Sequence, residues 1–272
     1  MPELPEVETT RFGLAPHLIG QKITATESRV SKLRWMIDSV ALLGLVDRKI
    51  VAIERRGKYL LIKTDDAEKA LLLHLGMSGS LRLTAPNAPL KKHDHFLLTV
   101  EKQQQMRLHD PRRFGHIEVI NPNQTHPLLA SLGLEPLSDA FTAQYLYQST
   151  RHRRCSIKAH IMNQKIVVGV GNIYATEALF LAGIRPQRPA HKITKKEAEK
   201  LTIHIKNELT RAIAIGGTTL RDFIHPDGTN GYFQQTLKVY GRVDEPCVNC
   251  GGLIKNTVIT NRASAYCPNC QK

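Results

Sequence analysis

Four cysteines near the end of the 272-residue chain carry the most specific chemical signal, Cys247-x2-Cys250-x16-Cys267-x2-Cys270. Each Cys-x-x-Cys turn brings two thiolates to one metal ion, and the spacer is long enough for a β-hairpin between the two knuckles. Four thiolates close the tetrahedron and leave no open position, so the pattern predicts one structural Zn2+ rather than a catalytic metal. Arg262 falls at the hairpin tip, either as a solvated turn arginine or as a cation facing an anionic partner. Cys155, the fifth cysteine, stands among arginines and reads as a free thiol.

A second signal is the run Lys165-Ile-Val-Val-Gly-Val-Gly-Asn-Ile-Tyr174. Two glycines leading into a helix start expose backbone N–H groups to an anion, and the Asn172 amide adds a donor, as a phosphate site needs. Asn172 is also a good plain helix cap. The third signal is the start, Met1-Pro-Glu-Leu-Pro-Glu-Val-Glu8, where removal of the initiator methionine would leave Pro2 with a free secondary amine.

These groups need elements to hold them. Val7, Leu14 and Leu18 lie near helical spacing over residues 5–19, with Gly20 as a stop, which predicts a leading amphipathic helix. Short apolar runs at 50–53, 59–63, 70–75, 80–83, 96–100 and 116–120 then predict a sandwich or barrel. Turn residues at 132–139 mark a boundary, after which the periodicity becomes helical. A helix capped by Asn172 is expected to run to about residue 182, where Gly183 ends it. Thr194 and Glu197 form a capping box for a longer helix whose Ala198, Leu201, Ile205, Leu209 and Ile213 share a face and which Gly216 and Gly217 end. Residues 228–231 read as a loop. The expected fold is α+β, with domains at 1–133 (a sandwich or barrel with a leading helix), 134–236 (helical) and 237–272 (a zinc hairpin).

Charge suggests what the helical part meets. Lysine and arginine exceed aspartate and glutamate by 38 to 24, a net charge of +14. The first 150 residues are nearly balanced at 19 basic to 16 acidic, whereas the rest hold 19 to 8, and residues 140–176 contain no acid while including Arg151, Arg153, Arg154, Lys158 and Lys165. Concentration of the excess in one half points to a polyanion, with nucleic acid as the first candidate. A composition of 42% hydrophobic and 23% charged residues is that of a globular protein and argues against a disordered or fibrous chain. No apolar stretch approaches the length of a membrane helix and no signal peptide precedes the first helix, which predicts a cytoplasmic protein with reduced thiols.

Taken together, Pro2-Glu-Leu-Pro-Glu-Val-Glu8, Arg56-Gly-Lys-Tyr59, His74-Leu-Gly-Met-Ser-Gly79, Lys92-His-Asp-His95, Asp110-Pro-Arg-Arg-Phe-Gly115, Val168-Gly-Val-Gly-Asn-Ile-Tyr174, Gly216-Gly-Thr-Thr219 and the four cysteines resemble bacterial formamidopyrimidine-DNA glycosylase, in that family's order from residue 2 to residue 270. The resemblance implies an N-terminal β-sandwich, a helix-two-turns-helix domain and a zinc hairpin. It also implies a monomeric, nucleoid-associated base-excision repair enzyme that acts on double-stranded DNA containing 8-oxoguanine, formamidopyrimidines or abasic sites, as both glycosylase and lyase.

Carried over by position, the resemblance makes Pro2 the nucleophile, Glu3 the proton donor, Lys58 the proton donor for β-elimination and Arg262 that for δ-elimination. His93, Arg112, Arg153 and Asn172 become DNA contacts, and Met77, Arg112 and Phe114 the side chains that enter the duplex where the damaged nucleotide leaves it. Lys158 becomes a lesion-pocket lysine, while His74 and His95 read, apart from the resemblance, as structural or supporting histidines. Asn163 departs from the pattern, since many relatives carry an acid there. By residue type alone Met77 and Phe114 are core fillers and Lys58 a solvated lysine.

Elementary acid–base chemistry agrees with these roles. An α-amino group with a pKa of about 8 is about one-tenth neutral at pH 7, against about one molecule in 2,500 for an ordinary lysine. Two rivals remain at this stage: an endonuclease VIII-like enzyme acting on oxidised pyrimidines, against which Leu4 and the Met77, Arg112, Phe114 set count, and a zinc-ribbon DNA-binding protein without catalysis, which would leave the Pro-Glu start and Lys58 unexplained.

Overall fold

A computed structural model of the chain describes residues 2–216 and 237–272. Met1, Gly217, the end of the Gly216–Thr219 motif and the loop expected at 228–231 lie outside the described residues. The described chain forms two compact bodies, residues 2–130 with 215–216, and residues 131–214 with 237–272. No described helix is long and apolar enough to cross a membrane.

The first body opens with α1 (Leu4–Leu18) and continues through β1 (Ile23–Ser28), the short α2 (Ser39–Leu43), β2 (Ile50–Arg56), β3 (Tyr59–Thr64), β4 (Ala70–His74), β5 (Ser80–Thr84), β6 (Asp94–Val100), β7 (Gln104–His109), β8 (His116–Ile120) and α3 (Pro127–Ala130). Two antiparallel four-stranded sheets result, ordered β1-β6-β7-β5 and β2-β3-β4-β8. Side chains alternate across each strand, so Leu60 and Ile62 of β3, Leu71 and Leu73 of β4, Phe96 and Leu98 of β6 and Met106 and Leu108 of β7 meet in one core with Val7, Leu14 and Leu18 of α1. The opposite face of β4 is buried too, with Ala70 and Leu72 packed beside Leu128 and Leu129. That two-sided burial explains why β4 reads as an unbroken apolar run.

Beyond the six expected strands stand β1 and β7. β7 reads Gln-Gln-Met-Arg-Leu-His and hid its strand character behind Arg107, which is wholly buried. The Arg107 guanidinium donates to Gln105 Oε1 at 2.7 Å and to the carbonyls of Pro89 at 3.0 Å and Ala88 at 2.9 Å, so its charge is spent holding the β5–β6 loop.

The second body contains α4 (Ala143–Thr150), α5 (Ile157–Ile161), α6 (Asn172–Leu181), a 3-10 turn (Ala190–Lys192), α7 (Lys195–Ala214) and the hairpin β9 (Lys255–Ile259) and β10 (Arg262–Tyr266). α7 starts with the expected box, Thr194 N–H donating to Glu197 Oε2 at 2.9 Å and Glu197 N–H to Thr194 Oγ1 at 3.2 Å. Its buried face is Ala198, Leu201, Ile205, Leu209 and Ala212, with Ile213 only partly covered. The cap of α6 differs from expectation: Gly171 occupies it and Asn172 is the first helical residue, because the Asn172 amide turns away from its own helix and donates to Ala263 O at 3.1 Å.

Candidate active site and nucleic-acid interface

On the first body the site begins at the chain start. Pro2 is half-buried, and Glu3 caps α1 in a reciprocal box with Glu6, whose Oε2 accepts from Glu3 N–H at 2.7 Å. Both carboxyl groups are buried beneath the first turn. α1 packs on β2 and β3, the two strands joined by the Gly57–Lys58 turn, with Arg56 and Tyr59 paired across it. Gly57 adopts φ +57°, a conformation that permits so tight a turn. Lys58 is only 8% exposed, not the solvated lysine its position beside a strand suggested.

Glu8 ties these pieces together. Its carboxylate accepts from Arg11 at 2.6 Å and from Arg55 Nε at 2.6 Å, and Arg55 also donates to Gly57 O at 3.1 Å. Burial opposes the Glu8 charge, but the two arginines outweigh it and hold the carboxyl below its usual range. The helix and the Gly57–Lys58 turn are therefore joined by an ion pair as well as by packing.

His74 borders the same turn. Desolvation, reinforced by the positive charges of Lys58, Arg34 and His116, pushes its pKa down to about 4, so the ring is neutral at pH 7. Its Nδ1 then accepts from Gly76 N–H at 3.0 Å and supports the turn that carries Met77. Met77 and Phe114 stand 42% and 41% exposed, and the Arg112 guanidinium lies 4.8 Å above the Phe114 ring. Large apolar groups that reach solvent beside a cation are suited to a surface that is covered when a ligand binds. His93 is half-buried, edge-on to His95 and His109 at 5.9 and 5.8 Å.

The second body gathers another set. Asn172 and Lys158 converge on the hairpin beside Arg262: Asn172 Nδ2 and Lys158 Nζ both donate to Ala263 O, at 3.1 and 3.3 Å, and Lys158 Nζ also donates to Ser264 Oγ at 2.7 Å. Lys158 is wholly buried, so its ammonium serves β10. Arg262 is exposed at the start of β10, after a two-residue turn at Thr260 and Asn261 with φ +47° and +60°. Arg153 is exposed and its charge contributes, after burial, to pushing His160 down to about 4.

Sequence reading passed over Glu177, the one acid on the apolar α6. It is wholly buried and accepts the backbone N–H groups of Lys238, Val239 and Tyr240 at 2.8, 3.0 and 2.8 Å. An acid in the middle of an otherwise apolar helix was the available signal.

The four cysteine sulfurs all lie within 4.8 Å of one another, with Cys247–Cys270 at 3.9 Å and Cys250–Cys267 at 3.5 Å. A tetrahedron with Zn–S bonds of about 2.3 Å has edges of about 3.8 Å, so the donor set fits one structural Zn2+.

Comparison with known proteins extends over the whole chain. Residues 1–117 match the family model of the formamidopyrimidine-DNA glycosylase N-terminal domain, residues 132–224 that of its H2TH domain, and residues 244–272 a zinc finger found in FPG and IleRS. The chain is 53% identical over 273 residues to formamidopyrimidine-DNA glycosylase of Thioalkalivibrio sulfidiphilus, covering 100% of both chains. Among solved structures, the Fpg (MutM) protein of Thermus thermophilus aligns with a TM-score of 0.89 at 37% identity, over 99% of this chain and 98% of that one. A mutant Lactococcus lactis Fpg in complex with DNA containing Fapy-dG aligns with a TM-score of 0.92 at 33% identity, over 100% of each chain.

Proposed function

Because this chain belongs to the formamidopyrimidine-DNA glycosylase family, we infer that it is a base-excision repair enzyme, which removes oxidised purines from duplex DNA as a glycosylase and cleaves the resulting abasic strand as a lyase. One observation carries the catalytic assignment: the Pro2-Glu3 start caps a helix that Glu8 and Arg55 fasten to the turn holding the buried Lys58.

In this reading Met1 is removed and the Pro2 nitrogen attacks C1′ of the damaged nucleotide. The glycosidic electron pair leaves with the base, and Glu3 gives its proton to the opening sugar oxygen. Breaking of the C1′–O4′ bond, its electron pair taken by the oxygen that Glu3 protonates, leaves an iminium between C1′ and the Pro2 nitrogen, which acidifies the C2′ proton. Removal of that proton expels the 3′ phosphate with Lys58 as proton donor, and a second elimination expels the 5′ phosphate with Arg262 in that part. Burial of Lys58 suits it to a proton-transfer role. The zinc supplies no chemistry to these steps and keeps the hairpin folded.

Contacts to the DNA are assigned on the same basis. Asn172, Arg153 and His93 meet the backbone, and Met77, Arg112 and Phe114 enter the duplex while the lesion is turned out. Lys158, which the resemblance sets in the lesion pocket, acts in this reading through the hairpin it supports. The three-part division at 1–133, 134–236 and 237–272 is supported by three successive family-model matches. We place the enzyme in the cytoplasm, at the nucleoid, as a monomer.

Borohydride trapping tests the assignment. With duplexes carrying 8-oxoguanine, an oxidised pyrimidine or an abasic site, the iminium should be reduced to a permanent protein–DNA bond that maps to the N-terminal peptide. The bond should disappear when Met1 is retained, since an acylated proline nitrogen has no lone pair to give. An adduct on Lys58, or undiminished excision with Met1 in place, would return the mechanism to an ordinary lysine Schiff base.

A further inference from the structure

The Met77 turn and the Arg112–Phe114 loop come from different strand connections, β4 to β5 and β7 to β8, yet their backbones touch. Gly76 adopts φ +66°, and a Cβ there would lie 2.3 Å from Phe114 C and 2.6 Å from Gly115 N. No side chain fits between them. One carboxylate, that of the wholly buried Asp110, bridges the contact: Oδ1 accepts from Ser78 Oγ at 2.7 Å, beside Met77, and Oδ2 accepts from Gly115 N–H at 2.7 Å, beside Phe114. Ser78 Oγ in turn accepts from Arg112 N–H at 3.2 Å. Asp110 N–H is held by His93 O at 2.9 Å and Gly115 O by Arg34 N–H at 3.1 Å, so the bridge is anchored on both sides.

We propose that Asp110 and Ser78 form a clasp that welds the two turns into one preorganised wedge, so that Met77, Arg112 and Phe114 enter the duplex together. Asp110 and Ser78 are positioning residues here. The proposal rests on the reading that those three side chains enter the DNA. Neither clasp residue is exposed as the wedge tips are, so its effect passes through the backbone beneath them. Ordering both turns before DNA arrives removes an entropic cost from the step in which the base is extruded. Chemistry at an abasic site, where no base has to be turned out, makes no use of that saving.

Single-turnover assays on the full-length, zinc-loaded enzyme separate these steps. Ser78→Ala should slow excision of 8-oxoguanine paired with cytosine about tenfold, the loss expected for one buried hydrogen-bond link, with cleavage of a preformed abasic site unchanged within about twofold. Ser78→Thr, which keeps the hydroxyl, should restore excision, and a lesion placed in an unpaired bulge should erase the defect because its base is already unstacked. Asp110→Asn, checked for folding by thermal melting, should lose more than Ser78→Ala, since one amide cannot accept at both positions. In a Met77→Ala, Arg112→Ala, Phe114→Ala background, adding Ser78→Ala should change nothing further. The clasp is refuted by full excision with Ser78→Ala, by equal losses on lesion and abasic DNA, or by a further loss in the triple background. Full excision by the triple variant itself would instead overturn the duplex-entry reading beneath it.

Discussion

Glu3 joins two requirements in one carboxyl group. It caps α1 with Glu6, and it is the acid next to Pro2, the nucleophile we propose. Glutamine at this position keeps an oxygen to accept at the cap but carries no proton to give. Glu3→Gln should therefore shift stability by less than about 1 kcal/mol, as thermal melting would show. Excision of 8-oxoguanine should fall by about 100-fold or more, the usual scale for a lost general acid. Cleavage of a preformed abasic site should be spared by comparison, because that sugar already opens to an aldehyde. Equal loss on both substrates would remove Glu3 from the base-release step. Glu3 is legible in the local sequence because the role proposed for it needs only adjacency to Pro2. Lys58 and Lys158 were harder, since burial of a lysine depends on what packs over it.

At the scale of elements, the zinc hairpin is less separate than its position at the chain end suggested. Phe180 of α6 shares a small core with Val239, Cys247, Ile254, Ala265 and Cys267. Gln271 Nε2 donates to Ile184 O at 2.8 Å, and Lys272 N–H donates to Gly183 O at 3.0 Å, stitching the last residues to the segment after α6. Removing a ligand should thus loosen the hairpin and the end of α6 together, while the sandwich of the first body, with its own core, persists. Cys250→Ser is expected to release zinc, weaken DNA binding and lose part of the helical circular dichroism while the strand contribution remains. Full DNA binding by the metal-free variant would contradict this. Asn172 belongs to the same unit: its amide is turned to Ala263, so α6 and β10 present Asn172 and Arg262 side by side.

Over the whole molecule, histidine burial shapes the response to acid. His160, buried against Ser149 Oγ at 2.9 Å, and His74 both have pKa values pushed to about 4 from an ordinary 6.5, chiefly by desolvation. Their folded-state values lie below the unfolded one, so the stability they contribute is present above pH 6.5 and lost as pH falls toward 4. Carboxyl groups held low, such as Glu8 and Glu197, begin to matter only below their ordinary value of 4.5. The melting temperature should therefore begin to drop between pH 6.5 and 5. His74→Asn, which keeps an acceptor for Gly76 N–H, should flatten that early drop. An unchanged profile would show that His74 does not stay neutral in the folded protein.

Composition and spacing determined the sequence of parts: a strand-rich first half, a basic helical second half and a four-thiolate metal site. These are local properties, since alternation, capping boxes and Cys-x-x-Cys turns act over a few residues. The register of residues 2–270 against one family determined the family and its enzyme class and carries the chemistry we propose, because Pro2, Glu3 and the cysteines are recognisable by neighbours in the chain. Only tertiary structure decided the rest. β7 is a strand because Arg107 finds carbonyls from a distant loop, Asn172 leaves its cap because Ala263 lies closer to its need, and Asp110 links two turns that are 32 residues apart at the Ser78 bond. In each case a polar group must be satisfied once water is excluded, and the partner that satisfies it is chosen by packing rather than by proximity in sequence.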